Sequence, residues 1–263
     1  MWSQLARLIK CHSSTIEQRA YLRLQSMGPM TAFLDGALNE VETLKNFSSH
    51  YICKGRRSIA LAATLLRQGE IVAIPTDTIY GLAGIVSDNS SIEKLYKIKD
   101  RDENKPLSIS VNNVTKIKLW GIVDHLPEEL LTNILPGPYT IILKRTQNLN
   151  PAFNPNHDTV GIRIPKFSFI NCVADIVGPL ALTSANVSNE PSCLYASEFK
   201  HLWPRLGGIF YDCNANRKLK SNFRRGSTIV DLSEPGYYKI VRFGVGGMSL
   251  IPFLQKNGLK DVN

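Results

Sequence analysis

Lys99-Asp100-Arg101-Asp102-Glu103-Asn104-Lys105-Pro106-Leu107 sets three cations, Lys99, Arg101 and Lys105, between two different hydrophobic periods. Upstream, Ile92, Leu95 and Tyr96 recur at i, i+3, i+4, which predicts a helix over 90–98, with Ser90 and Glu93 forming a capping box. Downstream, Leu107-Ser108-Ile109-Ser110-Val111 alternates as a half-buried strand does. Lys105 precedes a proline and is therefore held extended. A helix, a basic connection and a strand in direct succession predict an α/β domain whose loop aims charge at a ligand.

Working outward, Ile59, Ala62, Ala63 and Leu66 predict a helix that stops at Gly69, a residue suited to the left-handed position after a helix end. Ile71-Val72-Ala73-Ile74 is a continuous apolar run, the mark of a strand buried on both faces, and it delivers Pro75-Thr76-Asp77-Thr78-Ile79-Tyr80-Gly81-Leu82. Small hydroxyl residues past the end of a buried strand occupy the place where α/β sheets bind ligands, although the same residues also cap turns. Pro127, Glu128 and Glu129 predict a further helix start. Leu135-Pro136-Gly137-Pro138 reads as a rigid turn before a strand over 139–143.

Thr159-Val160-Gly161-Ile162-Arg163-Ile164-Pro165 is a strand pattern interrupted by one arginine. Arginine is seldom buried without a partner, so Arg163 is expected to face a ligand or a carboxylate. A helix over 169–177 halts at Gly178-Pro179, and Leu180-Ala181-Leu182 leads into Thr183-Ser184-Ala185-Asn186. A helix after Ser197 leads to Ile209-Phe210-Tyr211, and 226–231 and 239–244 read as late strands. Strand–turn–strand links among the helices predict a single mixed sheet over 56–247, followed by a tail over 248–263.

Residues 1–30 set Arg7, Lys10, Arg19 and Arg23 against one acid, Glu17, a composition expected of a mitochondrial presequence. Met27 and Met30 allow a shorter cytoplasmic form, so both compartments are expected; 31–55 reads as a linker or peripheral segment. The net charge of +9 points to an anionic partner, a nucleic acid or a phosphorylated small molecule. Five scattered cysteines without a CxxC pair, and histidines without ligand spacing, argue against a disulfide framework and a structural zinc site. No apolar run reaches the roughly 20 residues of a membrane span. Neither a P-loop, a GxGxxG after a strand, a GxSxG elbow nor a kinase motif occurs; Gly244-Val245-Gly246-Gly247 comes late and is read as followed by no helix.

The ordered set Pro75–Leu82, Lys99-x-Arg101 with Lys105-Pro106-Leu107, Pro136–Pro138, Val160–Pro165, Thr183–Asn186, Ser227–Asp231 and Val241–Gly244 resembles the YrdC-like threonylcarbamoyl-AMP synthase family, in its single-domain animal form. The resemblance implies a twisted mixed parallel and antiparallel sheet with flanking helices around a basic concave cavity. It implies that L-threonine, bicarbonate and ATP yield threonylcarbamoyladenylate and pyrophosphate, for transfer to tRNA by another complex. By the same resemblance Lys99, Arg101, Ser184 and Asn186 form the catalytic signature. Arg101, Lys105, Thr159, Ser184, Asn186 and Arg242 would hold ATP; Thr78, Ser110, Arg163 and Ser227 would hold threonine. Mg²⁺ is expected with the triphosphate and not from a protein carboxylate cluster.

Two departures stand out: Asp102 follows Arg101 where relatives often have proline, and 248–263 is too short for the further domain of longer relatives. Closure of the site is therefore expected from elsewhere, with the N-terminal segment as one source. Two other readings share these features: an RNA-binding module using the same basic hollow, and a carbamoyl-transfer enzyme.

Overall fold

The computed structural model describes residues 49–100, 105–188, 190–212 and 224–262. The predicted presequence, Arg101 and Asp102 lie outside them, as does most of the 31–55 segment. Within that segment His50–Ile52 forms a strand, β1, so the sheet begins ahead of residue 56.

Helix α1 covers Gly55–Arg67 and ends as its sequence predicts, with Gly69 at φ +73° donating to the Leu66 carbonyl at 2.9 Å. Strand β2 (Val72–Pro75) turns back through residues 76–79 into β3 (Tyr80–Ile85). Helix α2 spans Asn89–Lys99, one residue longer at each end than predicted. The predicted capping box does not form: Asp88 caps the helix, accepting from Ser90 N at 3.0 Å and from Ser91 Oγ at 2.6 Å. One carboxylate thereby serves two donors, and it leaves Glu93 to an exposed contact with Lys97.

Strand β4 is Ser108–Ser110, and α3 is a short helix over Leu130–Ile134. Pro127 and Glu128 precede α3 instead of opening it, because Glu129 takes a left-handed conformation at φ 60°. Strands β5 (Tyr139–Lys144) and β6 (Thr159–Arg163) pair antiparallel, then helix α4 (Ser168–Val177) leads to β7 (Leu180–Ser184). A kinked 3₁₀ segment, Ala196–Arg205, precedes β8 (Gly208–Tyr211); β9 (Thr228–Asp231) and β10 (Tyr237–Arg242) follow.

Residues 248–263, expected as a tail, instead carry helix α5 (Gly247–Lys256) and a short strand β11 (Lys260–Asp261), so Gly244–Gly247 does lead into a helix. Leu250 and Leu254, four apart, together with Leu259, are buried in the core, while Pro252 inside the helix masks the helical pattern. No helix among the described residues is long and apolar enough to cross a membrane.

The strands form one mixed sheet in the order β1-β8-β2-β3-β7-β4-β6-β5-β9-β10-β11. Its two faces are covered unequally. On one, Ala73, Leu82, Ile109, Ala181, Ile162, Ile141 and Val230 join a single extended core. On the other, α1 and α4 roof only part of the sheet, covering Val72 and Ile74 of β2, Ala83 of β3, Leu180 and Leu182 of β7 and Phe210 of β8. Past the edge of this roof the same face continues over β4, β6, β5, β9 and β10 with Gly161, Ile142, Ile229 and Asp231 half-exposed. The concavity lies there.

Candidate active site

Strand register assembles the site. Thr140 of β5 stands level with Ile229 of β9, and Ile229 with Arg242 of β10, which places the three on one face. Ser108 of β4 is level with Leu182 of β7, and Gly81 of β3 with Ser184. Because side chains two apart share a face, these residues and Arg163 line one cavity of about 140 Å³, together with Thr76, Ser227 and Pro106.

Within this lining Arg163 is buried, and its Nη2 donates to Asp77 Oδ1 at 2.9 Å and to Thr78 Oγ1 at 3.3 Å. Arg163 thus meets both a carboxylate and a cavity. Burial pushes the Arg163 guanidinium below its ordinary pKa, an effect Asp77 opposes by charge and by hydrogen bond. Its Nε is buried with no partner, as is Ser110 Oγ. Ser110 lies level with Arg163 on β4 but outside the cavity lining. Thr78 is fully buried, its hydroxyl 3.2 Å from that of Thr76.

Arg242, exposed, donates through Nε and Nη2 to the Ser227 carbonyl at 3.1 and 2.9 Å. The Ser227 hydroxyl lies 2.8 Å from Thr140 Oγ1 and 3.1 Å from Arg242 Nη2. Thr140 and Asp77 take part here although the sequence reading gives neither a binding role. Each has a signal: Thr140 is the lone aliphatic hydroxyl in a largely apolar strand, and Asp77 the lone acid in a hydroxyl-rich turn.

Lys99 has a different setting from the one its charge suggests. It is 1% exposed, and its ammonium donates to the Ser184 carbonyl at 2.5 Å and to the Asn186 carbonyl. The Ser184 hydroxyl lies 3.4 Å away. Lys99 therefore fastens the end of α2 to the Ser184–Asn186 turn, and it does not line the cavity. Asn186 adds to this anchor, its Nδ2 donating to the Val187 and Glu190 carbonyls at 2.7 and 2.8 Å. Ser184 does reach the cavity.

Lys105 is exposed beside lining residue Pro106. Thr159, on the same face as Arg163, lies four residues away along β6, about 13 Å at strand rise. Away from the cavity lining, Glu198 accepts from Leu194 N at 2.6 Å and from Arg224 Nη2 at 2.5 Å. Among the described residues no group of three or more His, Cys, Asp or Glu could hold a metal ion.

A family model, Sua5_yciO_yrdC, with the description "Telomere recombination", matches residues 64–244. Curated relatives named "Threonylcarbamoyl-AMP synthase" are similar: that of Bos taurus is 41% identical over 203 residues, 77% of this chain and 73% of the relative. That of Homo sapiens is 40% identical over 200 residues, 76% and 71% respectively. The crystal structure of P. abyssi Sua5 complexed with L-threonine matches with a TM-score of 0.67 at 25% identity, over 77% of this chain but 58% of the Sua5 chain. E. coli YciO matches at 0.66 and 22% identity over 76% of this chain and 96% of its own, a likeness of fold. With its mixed sheet, its part-roofed face and these relatives, the chain belongs to the Sua5/YciO/YrdC family.

Proposed function

We propose that the chain is a threonylcarbamoyl-AMP synthase. It would join L-threonine, bicarbonate and ATP into threonylcarbamoyladenylate and pyrophosphate. The observation that carries the reading is the cavity itself, whose lining includes both a buried guanidinium with an unmatched Nε and Arg242. An unmade bond on a buried charged donor is costly, so such a group calls for an anionic partner.

The chemistry asks for such a hollow. The threonine amine attacks the bicarbonate carbon and a carbamate forms with loss of water. A carbamate oxygen then attacks the α-phosphorus of ATP, the new P–O bond forms, and the bond to pyrophosphate breaks. Both reactants are anions, so fixed cations and in-line placement lower the barrier. Arg163, with Thr78 and the Thr140–Ser227 pair, would hold the amino acid. Ser184 and Arg242 would face the nucleotide, with Arg101, Lys105 and Thr159 assigned there by family pattern. Lys99 and Asn186 would act by fixing the turn that presents Ser184. Mg²⁺ would arrive on the triphosphate. The product would pass to an enzyme that modifies tRNA.

The test is pyrophosphate release by the pure full chain with ATP, bicarbonate and threonine. Release is expected to depend on threonine and to be largely lost in Arg101→Ala. Release without threonine dependence, alongside salt-sensitive RNA binding, would favour the RNA-binding reading instead.

A further inference from the structure

We propose that Asp77 is a positioning residue for the amino-acid substrate: its carboxylate fixes the Arg163 guanidinium in the orientation that receives threonine. The proposal rests on the functional reading above. Asp77 sits in the turn between β2 and β3, 8% exposed, and uses both carboxylate oxygens. Oδ1 accepts from Arg163 Nη2 at 2.9 Å, and Oδ2 accepts from the backbone N–H of Lys166 at 3.0 Å. These partners lie at the end of β6 and just beyond it, and β3, β7 and β4 stand between β6 and β2 in the sheet. One carboxylate thus ties together two chain segments that share no strand pairing.

Asp77 is not among the residues lining the cavity, whereas Arg163 is. The acid therefore stands behind the guanidinium, away from the ligand. A long arginine side chain loses rotamer freedom when it is fixed, and here that loss is incurred on folding, before any ligand arrives. The geometry also explains the division of labour on Arg163. Nη2 is engaged by Asp77 and Thr78, while buried Nε is left for a newcomer. Burial works against the charge of Arg163, and Asp77 supports it.

The experiment compares the full-length wild type with Asp77→Asn, Arg163→Gln and the double variant, following pyrophosphate release while threonine and ATP are varied separately. Asparagine keeps the shape and can still accept the Lys166 N–H. Asp77→Asn is expected to raise KM for threonine about tenfold or more, with KM for ATP within about twofold and kcat at saturation largely kept. The double variant is expected to match Arg163→Gln within about twofold in kcat/KM for threonine, since Asp77 acts only through Arg163.

An unchanged KM for threonine, an equal rise for ATP, or a double variant showing the product of the two single losses would each overturn the proposal. If Asp77→Asn does not fold, the double variant, which leaves no uncompensated buried charge, decides by the same comparison with Arg163→Gln. A wild type without threonine-dependent release would overturn the functional reading and the proposal with it. A threonine-dependent wild type with an unaltered Asp77→Asn would overturn the proposal alone.

Discussion

The roofed and the open parts of the same sheet face are built from the same strands-and-turns vocabulary and do different work. Under α1 and α4, β2 is buried at every position and β3 at all but its last. In the open part, the core-facing side chains of β5, β6 and β9 are mostly buried, while the other face leaves Ile142, Lys144, Thr159, Gly161, Ile229 and Asp231 partly exposed and buries Thr140 and Arg163 at the cavity. The roofed part has apolar surface on both faces to drive folding. The open part is held by its single buried face, which frees the other for Thr140, Arg163 and Arg242. The cavity lies along the seam, where Gly81, Leu182 and Ser184 from the roofed side meet Ser108, Arg163 and Arg242 from the open side.

The sharpest test of this contrast uses one deletion in two places. Ile74 of β2 is fully buried beneath the roof, and Ile142 of β5 is half-exposed on the open part of the same face. Ile74→Ala is expected to cost about 2–5 kcal/mol, and Ile142→Ala about 1 kcal/mol, read as shifts of the urea midpoint at constant slope. Equal costs would break the contrast.

Next in size is Lys99→Met, which keeps the length of the side chain and removes the donor shared by the Ser184 and Asn186 carbonyls. Buried carbonyls left unmatched cost about 1–3 kcal/mol. Since the turn they belong to borders the cavity, kcat is expected to fall with stability. A variant that loses activity at full stability would mean that Lys99 serves the reactants directly.

The smallest effect concerns Glu198. Burial raises its pKa, but bonds from Arg224 and from the Tyr195 and Leu194 amides outweigh this and leave it below the ordinary 4.5. A carboxylate with a lowered folded value stabilises the fold above its unfolded value, and that stability is lost as pH falls through the folded one. Glu198→Gln is therefore expected to be less stable at pH 7, with the gap to wild type closing below about 4.5. Both partners are partly exposed, so the gap should stay under about 1 kcal/mol. A gap that widens in acid would contradict the assignment.

The sequence speaks clearly where burial follows a simple period. The 71–74 apolar run, the stop at Gly69 and the alternation at 107–111 each correspond to an observed element. It speaks less clearly where one side chain settles the matter. Lys99 was expected to face a ligand because it opens a basic run, yet it continues the Ile92 and Leu95 stripe at i+7 and i+4, on the buried side of α2. The helical period outranked the charge. Arg163 shows the reverse, since its expected choice between carboxylate and ligand is met on both counts by a single guanidinium. Pro252 hides the final helix, and the cap of α2, Asp88, lies two residues ahead of the predicted Ser90. Asp77 could not be matched with Arg163 from sequence, because no periodicity links residues 86 apart.

That separation has a consequence for how the protein is made. Thr140 and Ser227, which share a hydrogen bond, are 87 residues apart, and Arg242 closes the lining that Thr76 begins. A ribosome adding about 5–20 residues per second needs roughly ten to thirty seconds between Gly81 and Arg242. For that interval the growing chain owns one wall of the hollow and lacks the other, so no metabolite can help the early strands to pair. They must rely on the oily helices laid down beside them until the last basic side chain emerges.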